Sequence, residues 1–574
     1  MKRIKRTSSR ILAVGILDKM IPRVLSCIFL IVIWWPCAAR LFDDGLDTYI
    51  KNTMKCNTVP GMTLAVVKGN ETWVKGFGMA DMDTDRLVNE ETLFVIGSLT
   101  KAFTSALLAV LLSNNNKGIS WTSKLSDILG NDFEFIDPVR TSQTTLRDIL
   151  SHRTGLANTL GSLCGYPSGL TRKDMTRRLR FLPEIQPFRE TFVYNNMMYM
   201  LAGHVAEVLG GDTWENLVKT KLFQPIGMHS TTVLTNPSQV SGGNTAKPYM
   251  IKEGKLVNGT ERLYQIFPEE PAGAIMTNGA DMVKWMKFIL NKGRTETNLS
   301  LVEQNIFKEC FQTMNHLDPQ FYDHQISKPT FPVEDVRLGY GYGWSTSFYR
   351  GYTKFFHGGT LMAYKSLIWL FPDHNIGIFG SANGPATDES DRALNSVFYY
   401  LSDVLLSEAK WINETIACTF PKPFASPFQR PAKIDPDQVN PVKPILDKYV
   451  GRYGSVLMPD MEITKNGDTL MFRCNRIAGI LHPTHVENEF KSEVTEPWEV
   501  VLSSRYGSNE TELTTVVFKM DGQKANSLEW QLGYSLVFIR NQGFFDEYVK
   551  SMGAESRFGW RIFVFIMCLN IVLI

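Results

Sequence analysis

The sequence predicts a chain of mixed α/β (α+β) class that ends in a small antiparallel β domain. Three observations predict it: helix and strand patterns mix up to residue 420, prolines crowd residues 421–444, and a period-two apolar pattern follows. The 574 residues are 44% hydrophobic and 21% charged. That composition excludes disorder, collagen and coiled coil, and the length indicates at least two domains.

The first part combines strands with a buried helix. Met62–Val67 and Trp73–Phe77 are two apolar runs that predict a β-hairpin. Apolar residues recur at helical spacing from Leu99 to Leu112, which predicts an amphipathic to fully buried helix. Lys365–Phe371 and Ile376–Ser381 predict a second pair of strands.

The second part begins after a proline-rich linker. Seven prolines among the 24 positions of residues 421–444 block helix and central strand and favour an extended chain. Beyond them, apolar residues alternate on both sides of Asn466-Gly467, the strongest short hairpin signal, and Asp521-Gly522 marks another turn. The sequence therefore predicts domains at residues 40–420 and 445–545, the second a small antiparallel sheet or barrel.

Residues 1–39 predict a secretory signal peptide. A basic stretch over residues 1–23 precedes an apolar run of 12 residues, Val24–Trp35, and the small residues Cys37-Ala38-Ala39 follow at cleavage spacing. A mitochondrial leader and a signal anchor stay open as alternatives. The apolar run is, however, shorter than the roughly 20 residues that span a membrane.

Charge and sequons also favour export. The formal net charge is +2, and because residues 1–39 contribute +6 the remainder carries −4, which argues against a nucleic-acid-binding body. Five Asn-x-Ser/Thr sequons fit a secreted glycoprotein: Asn70, Asn258, Asn298, Asn413 and Asn509. We therefore expect a secreted or extracellular location.

Residues 546–574 predict an apolar tail. Ile562–Ile574 is almost wholly apolar and follows the small residues Ser551, Gly553 and Ala554. This order is typical of a glycolipid-anchor signal, which would leave the protein attached to the cell surface. A buried terminal helix or a weak membrane contact stays open as an alternative.

The cysteines and histidines show no metal-binding spacing. The body of the chain allows at most two disulfides with one thiol left over, from Cys56, Cys164, Cys310, Cys418 and Cys474. The nine histidines include no His-Glu-x-x-His. The sequence therefore predicts neither a metal nor a cofactor.

Ser98-Leu99-Thr100-Lys101 carries the candidate chemistry. It follows the strand-like Phe94–Ile96 and the turn residue Gly97, and it opens the predicted buried helix. Residues three apart on a helix share a face, so the Ser98 hydroxyl and the Lys101 amine can meet near a helix N-terminus that stabilises negative charge. Lys101 acts as a base only when neutral, which requires burial and neighbouring positive charge.

The same Ser-x-x-Lys spacing also occurs at Ser407–Lys410, where strand, glycine and apolar helix are all missing. That second match is predicted to lie on the surface, and it shows that the spacing alone proves nothing. Two further elements strengthen the first match. Tyr194-Asn195-Asn196 places a phenol and an amide on a short turn, and His357-Gly358-Gly359-Thr360 precedes the second strand pair.

Each of these elements also has a purely structural interpretation. Tyr194 can be a core tyrosine, Asn196 a turn residue, and the glycines a hairpin bend. Likewise Trp344 and the run Gly339–Gly343 either line a pocket or belong to the core, where aromatic strands are more common.

Together these motifs resemble the serine β-lactamase and penicillin-binding-protein superfamily, specifically its class C and DD-carboxypeptidase-like branch. The resemblance covers roughly residues 42–410 and includes the segments Leu146–Leu156, Pro225–Met228 and Pro271–Gly273. It implies an antiparallel sheet flanked by helices, plus an all-helical subdomain. The C-terminal β domain resembles the small barrel appended to some of these hydrolases, where it covers the cleft or mediates assembly.

The resemblance implies catalytic roles for three residues. Ser98 resembles the nucleophile that is acylated, and Lys101 its proton acceptor. Tyr194 resembles the group that protonates the leaving group and then activates the deacylating water. An α/β-hydrolase is excluded because no Gly-x-Ser-x-Gly occurs.

The resemblance implies substrate binding by Asn196, His357, Gly359 and Thr360. Asn196 would hold the substrate carbonyl or amide, and the N–H groups of Ser98 and Thr360 would form the oxyanion hole. His357 stands where the family usually has Lys, and it is expected to be only partly charged near neutral pH. Tight binding of penicillins or D-Ala-D-Ala peptides is therefore not expected.

The sequence thus predicts a secreted serine hydrolase that resembles esterases, amidases or D-peptidases and cleaves a small ester or amide. The expected partner is this small-molecule or peptide substrate and no nucleic acid. The alternative is a non-catalytic secreted or extracellular-matrix protein that retains the fold as a binding surface.

Overall fold

The computed structural model describes residues 42, 45–115, 118–159, 161–317, 326–385, 387–424, 443–495, 514–531 and 535–544. The chain forms two units, residues 1–47 and 48–574, and the site lies in the second. The predicted signal peptide, most of the proline-rich linker, Asn509 and the predicted tail lie outside the described residues.

Helices of the described part fall mostly between residues 100 and 290. They are α1 (Gly45–Cys56), α2 (Thr100–Ser113), α3 (Leu125–Leu129), α4 (Pro138–Gln143), α5 (Leu146–Leu150), α6 (Gly161–Cys164), α7 (Arg172–Arg178), α8 (Asn196–Gly210), α9 (Trp214–Val218), α10 (Gln224–Ile226), α11 (Glu270–Gly273), α12 (Gly279–Leu290), α13 (Gln304–Glu309), α14 (Asp388–Leu406) and α15 (Glu414–Thr419).

Strands before residue 383 form a nine-stranded antiparallel sheet in the order β3-β2-β1-β14-β13-β12-β11-β10-β9, and two small sheets, β4-β8-β5 and β6-β7. They are β1 (Gly61–Lys68), β2 (Glu71–Asp81), β3 (Arg86–Leu87), β4 (Phe94–Val95), β5 (Thr232–Val233), β6 (Tyr249–Lys252), β7 (Lys255–Asn258), β8 (Ile275–Thr277), β9 (Asn315–His316), β10 (Asp335–Tyr340), β11 (Ser345–Tyr349), β12 (Tyr352–Leu361), β13 (Tyr364–Phe371) and β14 (Ile376–Ala382).

The two strand pairs predicted from the sequence are confirmed. β1 pairs with β2, and β13 pairs with β14. Helices cover both faces of the sheet: Gly377 of β14 packs against Met286 of α12, whereas Gly380 packs against Leu394 and Phe398 of α14. Residues three apart on a strand point to opposite faces, so the two helices flank the sheet.

The predicted buried helix is α2, which begins at Thr100 because Gly97–Leu99 form a 3-10 turn before it. Its residues are buried on nearly every side, as expected for a helix between the sheet and the helical subdomain. Phe103 stacks on Trp285 of α12 with ring centroids 3.8 Å apart. Lys101, in the first turn of this apolar helix, has no exposed surface.

Among the five described cysteines one disulfide forms, where the sequence allows two. Cys56 at the end of α1 bonds to Cys418 in α15, and their Cα atoms are 5.6 Å apart. Cys164, Cys310 and Cys474 are free, buried thiols. Within the described residues, no helix is both long and apolar enough to span a bilayer.

The C-terminal domain is a closed barrel of eight antiparallel strands, β15 to β22. They are β15 (Gly451–Gly454), β16 (Met461–Asn466), β17 (Thr469–Cys474), β18 (Ile477–Pro483), β19 (Glu489–Val494), β20 (Thr514–Asp521), β21 (Lys524–Gln531) and β22 (Ser535–Arg540). The hairpins predicted at Asn466-Gly467 and Asp521-Gly522 are confirmed, and Ile463 lies opposite Phe472.

The barrel packs against the helical subdomain. Arg178 of α7 donates hydrogen bonds to the backbone oxygens of Val456 at 2.8 Å and Phe544 at 2.9 Å. The Tyr166 hydroxyl donates a hydrogen bond to Leu457 O at 3.1 Å. Side chains of the helical part thus satisfy carbonyl groups of the barrel segments that face it.

Candidate active site

Ser98 lies in the tight connection between strand β4 and helix α2. The connection turns at Gly97, whose φ of +52° is a conformation that L side chains rarely adopt. A Cβ atom at Gly97 would lie 2.7 Å from the backbone nitrogen of Thr360. Glycine therefore allows strand β12 to approach, and the half-buried Ser98 lies beside it.

The Lys101 amine contacts three oxygen atoms. Its Nζ lies 3.1 Å from Ser98 Oγ, 2.8 Å from Asn196 Oδ1 and 2.9 Å from Ala272 O. The oxygen atoms of Asn196 and Ala272 can only accept hydrogen bonds, whereas the Ser98 hydroxyl can also donate one. When the amine is neutral, its lone pair therefore has one partner with a proton to give, Ser98.

Burial favours the neutral form of the Lys101 amine near pH 7. Desolvation lowers the pKa of Lys101 to about 7, and the negative charge of Glu269 opposes this shift. The expectation that neighbouring positive charge lowers this pKa is wrong, because the charge acting on Lys101 is that of a carboxylate. Glu269 is itself buried, which raises its pKa to about 7.

Tyr194 contacts the same hydroxyl. Its OH donates a hydrogen bond to Ser98 Oγ at 2.9 Å. The following residue, Asn195, caps helix α8 by accepting from Met197 N at 2.9 Å, and its amide donates to the oxygens of Leu156 and Ala157. The Asn195 cap thus fixes the backbone between Tyr194 and Asn196, which is the first residue of α8.

His152 packs against Tyr194 and is a site residue that was not predicted from the sequence. Its ring centroid lies 4.4 Å from that of Tyr194, and its Nδ1 accepts a hydrogen bond from Asn195 N at 3.1 Å. Burial lowers its pKa well below the usual value, so the imidazole is neutral. The segment Leu146–Leu156, already noted for its resemblance, was the only signal for this residue.

The His357–Thr360 motif lies on strand β12, next to the Ser98 turn. A Cβ atom at Gly359 would lie 2.0 Å from the backbone oxygen of Ile96, so only glycine permits this contact. Because Thr360 packs on Gly97 and Gly359 packs on Ile96, the backbones of the two motifs run side by side at Ser98.

His357 is neutral rather than partly charged. Burial lowers its pKa to about 3. Its Nδ1 lies 2.6 Å from Gly358 O, which can only accept, and its Nε2 lies 2.8 Å from the Tyr340 hydroxyl. Nδ1 therefore carries the proton and Nε2 accepts from Tyr340. The expectation that His357 is partly charged is wrong, because the burial of its imidazole cannot be read from the residues next to it in sequence.

A cleft of about 450 Å³ opens beside these residues. Its wall includes aromatic, backbone and charged groups: Phe192, Tyr194, Tyr340, Phe356, His357, Gly358, Gly359, Thr360, Arg337 and Asp391. Tyr340 thus lines the pocket, whereas Tyr342 and Trp344 are buried in the core. Within the described ranges, no three His, Cys, Asp or Glu side chains could jointly hold a metal ion.

Replacing Gly97 with alanine tests the contact between the two motifs. We expect Gly97→Ala to lower kcat/KM about a hundredfold, because the new methyl group displaces the Thr360 backbone. Gly69→Ala is the matched control, since Gly69 has φ +60° but nothing within 4 Å of its added Cβ. The positive φ should cost both variants about 1–2 kcal/mol of stability, and the contact with Thr360 adds to this cost in Gly97→Ala. Equal activities of the two variants would show that the contact is not needed.

The fold and the arrangement of Ser98, Lys101 and Tyr194 define a class of protein, the β-lactamase-like serine hydrolases. The Beta-lactamase family model matches residues 46–397, which is more than half of the chain, and the chain belongs to this family.

Particular relatives include the Unguisins hydrolase ungD of Aspergillus violaceofuscus, 29% identical over 355 residues, which cover 60% of this chain and 62% of that protein. Gigasin-6 of Magallana gigas is 26% identical over 276 residues, which cover 46% of this chain and 89% of that protein. The chain therefore spans about three fifths of the length of the first of these relatives.

Among solved structures, the octameric penicillin-binding protein homologue from Pyrococcus abyssi is similar with a TM-score of 0.52 and 20% sequence identity. The similarity covers 87% of this chain and 100% of that one. At this identity the likeness shows the fold. It also extends well beyond the residues that the family model matches.

Proposed function

We propose that this chain is a secreted serine hydrolase that cleaves a small ester or amide through an acyl-enzyme on Ser98. The observation that carries the proposal is that Ser98 Oγ lies 3.1 Å from Lys101 Nζ and 2.9 Å from the Tyr194 hydroxyl. The nucleophile thus lies within hydrogen-bond distance of both a base with a lowered pKa and a proton donor.

In the proposed acylation step, Ser98 Oγ attacks the substrate carbonyl and its proton passes to the neutral Lys101 amine. The N–H groups of Ser98 and Thr360 bind the oxyanion, and each such donor is typically worth about 3–4 kcal/mol in the transition state. Tyr194 gives its proton to the leaving alcohol or amine, and Lys101 returns the proton it received to the tyrosinate.

Deacylation reverses these proton movements. A water molecule takes the place of the leaving group and loses its proton through Tyr194 as it attacks the acyl carbon. Ser98 Oγ leaves with a proton from Lys101. Asn196 Oδ1 and Ala272 O hold the lysine amine in place through both steps, because they accept hydrogen bonds from it.

The neutral His357 affects which substrates can bind. Because the imidazole is uncharged, it attracts a substrate carboxylate far less strongly than the lysine that is common in the family. The aromatic wall of Phe192, Tyr340 and Phe356 favours an apolar acyl group. The relatives named unguisins hydrolases support hydrolysis, and we infer an ester or amide without a required carboxylate next to the scissile bond.

The pH dependence of the reaction follows from Lys101. The lowered pKa of about 7 means that the neutral, active amine increases as the pH rises towards 7. We therefore expect kcat/KM to rise about tenfold per pH unit below 7 and to level off above it. A pH–rate profile for a chromogenic ester measures this. An acid limb near the ordinary lysine pKa would contradict a buried, neutral base.

Export is part of the proposal. The disulfide between Cys56 and Cys418 is typical of proteins in an oxidising compartment. The sequon asparagines of the described part are all exposed, as glycan attachment requires: Asn70, Asn258, Asn298 and Asn413. Removal of the signal peptide and attachment through the tail stay predictions.

Covalent labelling tests the proposed function. We expect a fluorophosphonate probe to add to wild type at Ser98, as detected by mass spectrometry of the intact protein and its peptides, and not to add to Ser98→Ala. Ser407→Ala is the matched control, because Ser407 belongs to the exposed Ser-x-x-Lys. Equal labelling of all three proteins at other residues, with no turnover of esters or amides, would favour the non-catalytic alternative.

A further inference from the structure

The turn between strands β17 and β18 of the barrel contacts two segments of the hydrolase part. The Arg476 guanidinium donates hydrogen bonds to three backbone carbonyls, those of Arg262 at 2.7 Å, Ser162 and Gln265. One side chain of the barrel therefore ties together two segments, residues 161–165 and 262–265, that are about a hundred residues apart in sequence.

Two further contacts anchor the same turn, one from a side chain and one from the backbone. Asn475 Nδ2 donates to Gly165 O at 2.6 Å, and Arg476 N donates to Cys164 O at 3.2 Å. The turn is thus held at both its backbone and its side chains. This anchoring fixes where the Arg476 guanidinium lies.

Hydrogen bonds, joined by the peptide bond between Gln265 and Ile266, connect this turn to the Lys101 amine. After Gln265, Glu269 N donates to Ile266 O at 2.8 Å, and Ala272 N donates to Glu269 O at 2.8 Å. Lys101 Nζ then donates to Ala272 O at 2.9 Å. The segment that Arg476 holds at one end therefore positions a direct partner of Lys101 at the other.

A second route runs through the Glu269 side chain. Glu269 is 5% exposed, and its Oε1 has no hydrogen-bond partner among the described residues. Its carboxyl group interacts with Ser162, whose carbonyl Arg476 holds, and its charge acts on Lys101. Both routes therefore begin at Arg476 and end at the amine.

We propose that Arg476 is a positioning residue of the active site, through which the barrel holds the Glu269–Ala272 segment against Lys101. The inference rests on the proposed function, because it assigns Lys101 as the base. It differs from simple docking of the barrel, for which Arg178 and Tyr166 already provide hydrogen bonds.

The guanidinium geometry explains the choice of arginine. Its planar fork directs several N–H groups at once, so one side chain can hold three carbonyls from two segments. A lysine ammonium on the same stem keeps the charge but not the fork. Without the fork, the Glu269–Ala272 segment loosens, water reaches Lys101, and the desolvation that favours its neutral form decreases.

The test compares Arg476→Met with Arg473→Met in the full chain. Arg473 lies on β17, the strand that leads into this turn, and is exposed, so it is the matched control. We expect Arg476→Met to lower kcat for 4-nitrophenyl acetate and the rate of Ser98 labelling about tenfold to a hundredfold. The acid limb of its pH–rate profile should move about one unit towards higher pH. Arg473→Met should match wild type in all three.

Three outcomes separate the claims. If wild type is labelled at Ser98 but Arg476→Met has the rate and acid limb of Arg473→Met, the inference is wrong and the proposed function stands. If wild type shows no Ser98-dependent labelling, the proposed function fails, and the inference with it. If Arg476→Met does not fold, Arg476→Lys decides: an acid limb between wild type and the ordinary lysine range supports the inference, and an unchanged limb overturns it.

Discussion

Lys101→Met should lower kcat/KM about a thousandfold while leaving the fold intact. General acid–base groups typically contribute 10²–10⁴-fold, roughly the range lost when the amine is absent. Methionine has a similar length and an apolar tip, so it fills the buried position without creating a cavity. Steady-state kinetics with a chromogenic ester measures the rate, and circular dichroism confirms folding.

The control for this variant is Lys410→Met. Lys410 belongs to the exposed Ser-x-x-Lys and donates to the Tyr400 hydroxyl at 2.9 Å, far along the chain from the site. Its removal should leave kcat/KM within about twofold of wild type. A Lys101→Met protein that keeps a tenth or more of wild-type activity would mean that another group accepts the Ser98 proton.

Arg172→Met should lower the free energy of unfolding by about 3–5 kcal/mol. Arg172 of α7 is 5% exposed and binds three carboxylates: Glu207 at 2.6 Å, Glu270 at 2.8 Å, and Glu215. Its Nε also donates to Pro268 O at 3.2 Å. Without the guanidinium, the buried Glu270 carboxylate loses its cation, and burial already raises its pKa. Urea unfolding monitored by fluorescence measures the loss.

The matched control is Arg180→Met. Arg180 pairs with Glu134 at 3.5 Å, and the two side chains are 31% and 56% exposed. Solvent screens such a pair, so its loss should cost about 1 kcal/mol or less. If both arginine variants unfold at the same urea concentration, the buried cluster does not contribute the stability that its geometry indicates.

Much of the fold was predictable because its signals are local. The turn at Asn466-Gly467, the period-two pattern around it and the apolar spacing of α2 each lie within a few residues of the element they define. Strand order was not predictable in this way. β1 pairs with β14, which begins some 300 residues later, and no short pattern around Met62 or Ala382 records that partnership.

The site residues likewise divide into those that a local pattern predicts and those that it does not. Ser98 and Lys101 were found because residues three apart on a helical turn lie close together on one face. Ala272 contributes a backbone oxygen, which every residue has, and Glu269 and His152 act through burial that sequence does not report. The charge of His357 was predicted incorrectly for the same reason, since its solvent exposure depends on Tyr340 and on strands far along the chain.

The bond between Cys56 and Cys418 makes a covalent ring of the chain between them, and Ser98, Lys101, Tyr194 and Thr360 all lie inside that ring. A protease that cuts any one exposed loop between these cysteines opens the ring but releases no fragment. The cut protein keeps Ser98 and Lys101 in one molecule until a reductant breaks the bond.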